Sequence, residues 1–467
     1  MPPRARSHHA LRGLFLIILL AWLPGCVDFR LVDFSEHSFP PDFKRLVRLP
    51  NAQGLPARAW AARLHQAAAP LLPAGRAEAL TTDQLATAGG PADVWARFNL
   101  HPEDLDNLFL NTRGIEQSAQ TVSPTATISN GRILRPAWDG FHEVEVPVPG
   151  NAVLYARLGI PEKQYEIPGS FVIITHGLFG TLDGKDVINH VQTLRRAGHH
   201  VLAIEMRGHG QTHFNHPEYG ITFGIAESGD FLAAARWLKQ TQGATRVGLV
   251  TFSLTGFEAL LTAWLDGTAP VTELANLPLN AVLPRHQAEP AFNGGMFIIS
   301  APVGILDVGQ RFEPHVSLLE APVKATFQEH ISQRIASYKL GSGYTMWDLA
   351  RCEFPRGDSY KLYPSFEAAR TDLMAFLDVS REDWKVGAAR MENIRVPVLV
   401  LNAANDPLAC AQGVADLFSR QHNPNIGVII LKEGGHIGFT AYGADYYYSL
   451  MMNFFDPATA PVISGPS

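Results

Sequence analysis

The stretch Leu249-Val250-Thr251-Phe252-Ser253-Leu254-Thr255-Gly256 decides how this chain is read. It opens in the short apolar run Val247-Gly248-Leu249-Val250, which has the character of a strand buried on both faces, and from Gly256 onward it reads as a helix. Ser253 therefore stands on a tight strand-to-helix turn, with its hydroxyl held above the sheet and a helix N-terminus beside it. Such a serine does little at neutral pH unless a histidine accepts its proton and a carboxylate holds that histidine in the right tautomer. Strand and helix backbones nearly touch at such a turn, so small neighbours are favoured. Thr251 and Thr255 stand two residues either side of the serine, and Gly256 relieves the crowding one residue later.

Outward from this turn, short apolar runs recur with longer segments between them. They are Phe171-Val172-Ile173-Ile174-Thr175, Val201-Leu202-Ala203-Ile204, Met296-Phe297-Ile298-Ile299, Val396-Pro397-Val398-Leu399-Val400-Leu401 and Gly427-Val428-Ile429-Ile430-Leu431. Glu143-Val144-Glu145-Val146 alternates instead and returns, through Pro147, Gly150 and Asn151, as Ala152-Val153-Leu154-Tyr155-Ala156, which predicts a hairpin opening the sheet. Parallel strands joined by helical crossovers make the fold class α/β, with a mostly parallel, doubly wound sheet. About ninety residues separate Ser300-Ala301-Pro302 from the strand at Val396, far more than a minimal crossover of a dozen needs, so residues 303–395 are expected to form a helical cap insertion. The core is expected over 137–302 and 396–456, with a flexible tail over 457–467.

Two loops downstream carry the groups Ser253 needs. Asn402-Ala403-Ala404-Asn405-Asp406-Pro407 follows one strand, and Asp406 is its only carboxylate. Glu433-Gly434-Gly435-His436-Ile437-Gly438-Phe439 follows the next strand, and its glycines give the loop the freedom to bring His436 over the serine. Each residue alone has an ordinary alternative: a helix-capping serine, a turn aspartate before proline, a solvated loop histidine. The order Ser, Asp, His at the ends of successive strands is what selects the catalytic reading.

From about Phe141 to Phe455 the chain resembles the α/β-hydrolase superfamily and, within it, the YheT-type or embryogenesis-associated branch. The residues that carry this are Phe252-Ser253-Leu254 with Gly256, Ser300-Ala301-Pro302, Asn402-Ala403 with Asp406-Pro407, and Gly434-Gly435-His436-Ile437-Gly438-Phe439. His176-Gly177-Leu178-Phe179-Gly180, after a strand, resembles the oxyanion loop of such hydrolases. Arg207-Gly208-His209-Gly210 resembles their Arg-Gly-x-Gly turn. The resemblance implies cleavage of carboxylic esters without a cofactor. It makes Ser253, Asp406 and His436 nucleophile, acid and base, with the backbone N–H groups of Leu178 and Leu254 as oxyanion donors. Thr251 and Thr255 stand where that family has glycine, and Asn405 where it often has a second aspartate. An acyltransferase with the same three residues, and a non-catalytic binding lipoprotein on the same scaffold, are the alternatives.

The remainder of the chain bounds location and partners. Among 467 residues, 46% are hydrophobic, and 38 Lys+Arg against 44 Asp+Glu give a net charge of −6, which offers no broad basic surface to nucleic acid. The 18 histidines show no metal-binding spacing, so no metal is expected. Arg4, Arg6 and Arg12 precede the apolar run from Leu14 to Leu23, as in a secretory signal. The run ends in Leu23-Pro24-Gly25-Cys26, which resembles the lipobox of bacterial lipoproteins, with Pro24 as a departure. Residues 1–26 are thus expected to be a signal peptide, with Cys26 lipidated and anchored to the membrane. Val27 in place of aspartate favours the outer membrane, with the periplasm as fallback. Small-molecule or lipid esters are the expected partners. Residues 27–136 form an N-terminal region, partly helical near Ala92–Phe98 and Pro102–Leu110, that carries no legible chemistry. Cys352 and Cys410 either pair or remain two buried thiols.

Overall fold

Every one of those apolar runs is a strand of a single sheet. The computed structural model describes residues 43–48, 54–74, 77–87, 138–267, 289–303, 345–353, 390–406, 408–409 and 411–463, with 93, 96–98, 328, 331–336 and 343 between them. The strands are β1 (Ala79–Thr81), β2 (Phe141–Val148), β3 (Ala152–Gly159), β4 (Ser170–Ile174), β5 (His200–Ile204), β6 (Arg246–Phe252), β7 (Gly295–Ile299), β8 (Val398–Ala403) and β9 (Ile426–Leu431). Among the described residues they form a nine-stranded sheet in the order β1-β9-β8-β7-β6-β4-β5-β3-β2. β3 runs antiparallel to both β2 and β5, β1 runs antiparallel to β9, and the other pairs are parallel.

The burial of each strand follows its place. β4, β7, β8 and β9 are buried at every residue, as strands covered on both faces must be, whereas β2 at the edge alternates between exposed and covered positions. Pro147 sits on that edge strand, where its missing N–H costs no central ladder bond. Loop 149–151 closes the β2–β3 hairpin, and Gly150 and Asn151 supply its two positive φ angles, 82° and 59°.

Helices cover both faces. Apolar side chains of α1 (Ala57–Ala68), α3 (Lys185–Arg196) and α9 (Ala444–Phe455) pack on one side with Val172, Ile174, Phe252, Phe297 and Leu399. Those of α5 (Glu227–Thr241), α6 (Leu254–Gly267) and α8 (Ala411–Ser419), beyond the short α4 (Gly210–Asn215), pack on the other with Phe171, Leu249, Ile298 and Val400. The chain thus leaves β4 toward one face through α3 and leaves the adjacent β6 toward the other through α6. A crevice opens at the carboxyl ends of strands where such connections diverge. The turn at Ser253 and the loop at His176 both start there.

The described part of the N-terminal region belongs to this fold, a point the sequence reading did not anticipate. α1 lies so close over β9 that a Cβ on Gly427 would stand 2.5 Å from the Ala57 carbonyl oxygen. Trp60 is fully buried, donates its Nε1–H to Thr459 O at 2.7 Å and meets Phe454 edge-on at 5.5 Å. α2 (Thr82–Ala86) follows β1, and the Thr82 hydroxyl accepts the Val428 N–H at 2.6 Å. Through 463 the expected loose tail is also corrected: Val462 bridges Pro56 and donates its N–H to Leu55 O at 3.0 Å. The signal segment with Cys26, most of the helical patches near 92–110, and Cys410 lie outside the described residues. Cys352 is half-buried on α7 (Met346–Glu353). No helix among the described residues is long and apolar enough to cross a membrane.

Behind the crevice, α6 carries an acidic residue where apolar ones dominate. Glu258 is buried, and its Oε2 has no hydrogen-bond partner among the described residues. Burial, reinforced by the neighbouring charges of Glu227 and Asp230, holds its carboxyl well above the usual carboxylate range of about 4.5. A carboxyl whose folded pKa exceeds its unfolded value stabilises fully below the unfolded pKa, and that stability is lost as pH rises toward the folded one. Glu258→Gln, similar in shape and never charged, is therefore expected to raise the melting temperature over wild type progressively from pH 4 to pH 8. A pH-independent difference in calorimetry would refute this.

Candidate functional site

At the end of β6 the chain turns at Ser253 with φ at +56°, a left-handed conformation that costs a non-glycine residue about 1–3 kcal/mol. Surrounding bonds hold it there: the Ser253 N–H donates to Ile299 O at 2.9 Å and its carbonyl accepts the Gly256 N–H at 2.8 Å. The helix expected near Gly256 begins at Leu254, directly after the serine. Gly256 is needed for close packing, because a Cβ there would lie 3.0 Å from Ala301 Cβ and 3.1 Å from Ile298 Cγ2.

Neither flanking threonine disturbs this turn. Thr255 accepts the Phe252 N–H on Oγ1 at 3.1 Å and donates its hydroxyl to the Phe252 carbonyl at 2.9 Å. That clasp spans the serine, and glycine could not make it. Thr251 is in register with Ile298, on the face covered by α6, and its fully buried hydroxyl has no hydrogen-bond partner among the described residues.

The structure brings the three residues singled out in the sequence into one hydrogen-bonded chain. His436 Nε2 lies 2.8 Å from Ser253 Oγ, and His436 Nδ1 lies 3.0 and 3.1 Å from the two oxygens of Asp406. Asp406 Oδ1 also accepts the Leu408 and Ala409 N–H groups, each at 2.8 Å, which fixes the carboxylate plane. Asp406 and His436 are buried and Ser253 is partly exposed, so the chain ends at the surface of the crevice.

The histidine loop is held by residues whose contribution sequence reading missed. Asn405 Oδ1 accepts two backbone N–H groups, from Gly434 and Gly435, each at 2.9 Å. Ser300 Oγ accepts the Ile437 N–H at 3.0 Å. Asn405 was legible only as a departure from aspartate and Ser300 only as part of a motif, because each role depends on which loop lies across from it. Positive φ gives a clearer signal. Of the six non-glycine residues with positive φ among those described, Phe179, Ser253, Ser300 and Ile437 all lie on the loops that converge here.

The loop after β4 reaches the same point. A Cβ on Gly177 would lie 3.3 Å from Ser253 Cβ, so the absence of a side chain lets this backbone approach the serine. His176, expected only as part of this loop, faces inward: Nδ1 donates to Gly177 O at 2.8 Å and Nε2 accepts the Met206 N–H at 3.2 Å. The turn after β5 is anchored by Arg207, which grips Asp230 through two hydrogen bonds of 2.5 and 2.7 Å. Among the described residues the Leu178 and Leu254 N–H groups donate to no backbone acceptor. Leu178, Phe179 and Leu254 pack in turn with Ile331, Ile335, Met346, Leu349 and Ala350 of the expected cap. Of the cap aromatics Phe312, Tyr338, Tyr344, Trp347 and Phe354, only Trp347 falls within the described residues. These contain no group of three His, Cys, Asp or Glu side chains placed to hold a metal ion.

Residues 172–446, more than half of the chain, match the sequence model of the Alpha/beta hydrolase family, and the protein belongs to that family. Among solved structures it is similar to an esterase of Pyrococcus furiosus, at 16% identity over 71% of this chain and 97% of the other, with a TM-score of 0.43. An esterase of Pyrobaculum calidifontis matches at 14% identity over 79% and 98%, with a TM-score of 0.40. A serine hydrolase without a lid from Xanthomonas campestris matches at 14% identity over 68% and 97%, with a TM-score of 0.36.

Proposed function

We propose that this protein is an exported serine hydrolase that cleaves carboxylic esters through an acyl-enzyme. The observation that carries the reading is the unbroken chain from Ser253 Oγ through His436 to Asp406, with contacts of 2.8 and 3.0 Å. With its Nδ1–H given to Asp406, His436 presents a lone pair on Nε2 to the serine hydroxyl. Ser253 Oγ attacks the acyl carbon as its proton passes to Nε2, and the carbonyl electrons move onto oxygen. The Leu178 and Leu254 N–H groups stabilise that oxyanion. Collapse expels the alcohol, which takes the proton from Nε2. Water, deprotonated by the same nitrogen, then attacks the acyl-enzyme and releases the carboxylic acid.

The apolar cluster joining Leu178, Phe179 and Leu254 to the cap supports an apolar acyl group. A fluorophosphonate probe tests the assignment without knowledge of the natural ester: mass spectrometry is expected to find the adduct on Ser253, and an unlabelled protein would count against it. The YheT-type affiliation rests on the motifs around Ser253 and His436. Export and lipid anchoring rest on residues 14–26. Incorporation of labelled palmitate in bacteria that is abolished by Cys26→Ser is the expected result, and incorporation unchanged by it would overturn the anchor.

A further inference from the structure

The histidine of the turn Arg207-Gly208-His209-Gly210 takes no part in the steps above, yet it is buried within the loops that form the site. Both of its nitrogens are committed to backbone. Nδ1 lies 2.7 Å from Arg207 O, which can only accept, so Nδ1 carries the proton. Nε2 lies 3.2 Å from the Phe179 N and accepts its N–H. Phe179 has φ at +62°, a conformation that β-carbon sterics oppose and that an outside bond must maintain.

We infer that His209 is a positioning residue for the reaction at Ser253: by accepting the Phe179 N–H it fixes the Leu178–Phe179 peptide and so aims the adjacent Leu178 N–H at the acyl oxygen. This inference rests on the proposed ester-cleaving role of Ser253. Without the imidazole acceptor, the Phe179 N–H loses its partner, the strained φ loses a restraint, and the loop can rotate the Leu178 N–H away from the crevice. The surroundings keep the acceptor available. Burial lowers the basicity of His209 well below the usual 6.5, and His176, with its ring centroid 4.8 Å away, and the Arg334 guanidinium lower it further. Arg334 comes from the cap side of the chain, is paired with Glu353 at 2.7 Å and lies over Gly208, where a Cβ would stand 2.8 Å from Nη2. Neutral His209 thus offers Nε2 as an acceptor at ordinary working pH.

A group that aims an oxyanion donor changes turnover and leaves ground-state binding intact. For His209→Leu, kcat on a p-nitrophenyl ester is expected to fall about 10- to 100-fold with KM within about threefold of wild type. The inhibition constant of a trifluoromethyl ketone, which forms a serine-bound oxyanion, is expected to weaken by the same factor, while that of the matching secondary alcohol is unchanged. His209→Gln, which can place an amide oxygen near Nε2, is expected to recover most of kcat. Wild-type kcat and ketone binding in His209→Leu would overturn the inference, as would equal weakening of ketone and alcohol. Should His209→Leu fail to fold, ¹⁵N NMR of wild type, with the His209→Gln spectrum giving the assignment, decides the matter. A protonated Nδ1 and bare Nε2 are expected, and the opposite tautomer overturns it. A wild-type protein inert to both ester and fluorophosphonate would refute the role of Ser253 itself, a different result from any of these.

Discussion

Ser253→Ala is expected to lower kcat on a short p-nitrophenyl ester by about ten-thousand-fold or more, with the melting temperature little changed. The size of the effect follows from what is lost. In the proposed reaction Oγ is the atom that bonds to the acyl carbon, and its removal leaves His436 Nε2, 2.8 Å away in wild type, with no hydroxyl to deprotonate. The small effect on folding follows from the same geometry. The turn is held by the Ser253 N–H and carbonyl and by the Thr255 clasp, none of which uses the serine hydroxyl. Alanine keeps the +56° φ and its cost, so neither gain nor loss of backbone strain enters. Steady-state kinetics beside calorimetry checks both halves, and a variant retaining more than a tenth of wild-type turnover would rule out the serine as nucleophile.

Asn405→Leu carries the second large effect, and it acts on both stability and turnover. The Asn405 amide oxygen accepts two buried backbone N–H groups from the loop that bears His436. Leaving a buried donor unpaired costs about 1–3 kcal/mol, so the variant, with two such donors, is expected to lose about 2–6 kcal/mol in denaturant unfolding. The loop also loses its register against the acid turn, which breaks the contacts of 3.0 and 3.1 Å between His436 and Asp406. Turnover is expected to fall about 100-fold, since a misplaced base acts from the wrong distance. Asn405→Asp keeps an oxygen acceptor at the same place and is expected to restore most of both quantities. Equal damage from leucine and aspartate would show that the two N–H bonds are not what matters.

Most of the sheet was legible in the sequence because strands covered on both faces must be apolar throughout, and β4 to β9 advertise this as uninterrupted runs. The β2–β3 hairpin was legible through alternation and through residues that accept positive φ. α1 was not. Its sequence Ala-Arg-Ala-Trp-Ala-Ala-Arg-Leu-His-Gln-Ala-Ala buries mainly alanines, whose small apolar surface leaves a faint periodic signal. β1 is shorter still. Three residues carry no period, and Ala79–Thr81 becomes a strand only because the edge of β9 offers it partners.

At the site, order along the chain was enough to select Ser253, Asp406 and His436. It could not show how the loops are tied. Asn405, Ser300 and His209 each act on backbone groups far along the chain, and such partnerships arise only after the strands are placed. Thr255 illustrates the limit most directly. By residue type it was a bulky substitute for glycine; in the folded turn it is a bracket across Ser253.

β1 has a consequence for how much of this chain can stand alone. The segment 172–446 that defines the family ends its sheet in β9, where Ile426–Leu431 is buried at all six positions. Among the described residues only β1, with the Thr82 hydroxyl beside it, occupies the outer hydrogen-bonding edge of that strand. Cut free of the first ninety residues, β9 would present unpaired N–H and C=O groups on an uncharged, strongly strand-forming segment, the profile of an aggregation seed. The described part of the N-terminal region thus closes this edge of the sheet, and expression without residues 1–90 is expected to yield insoluble protein.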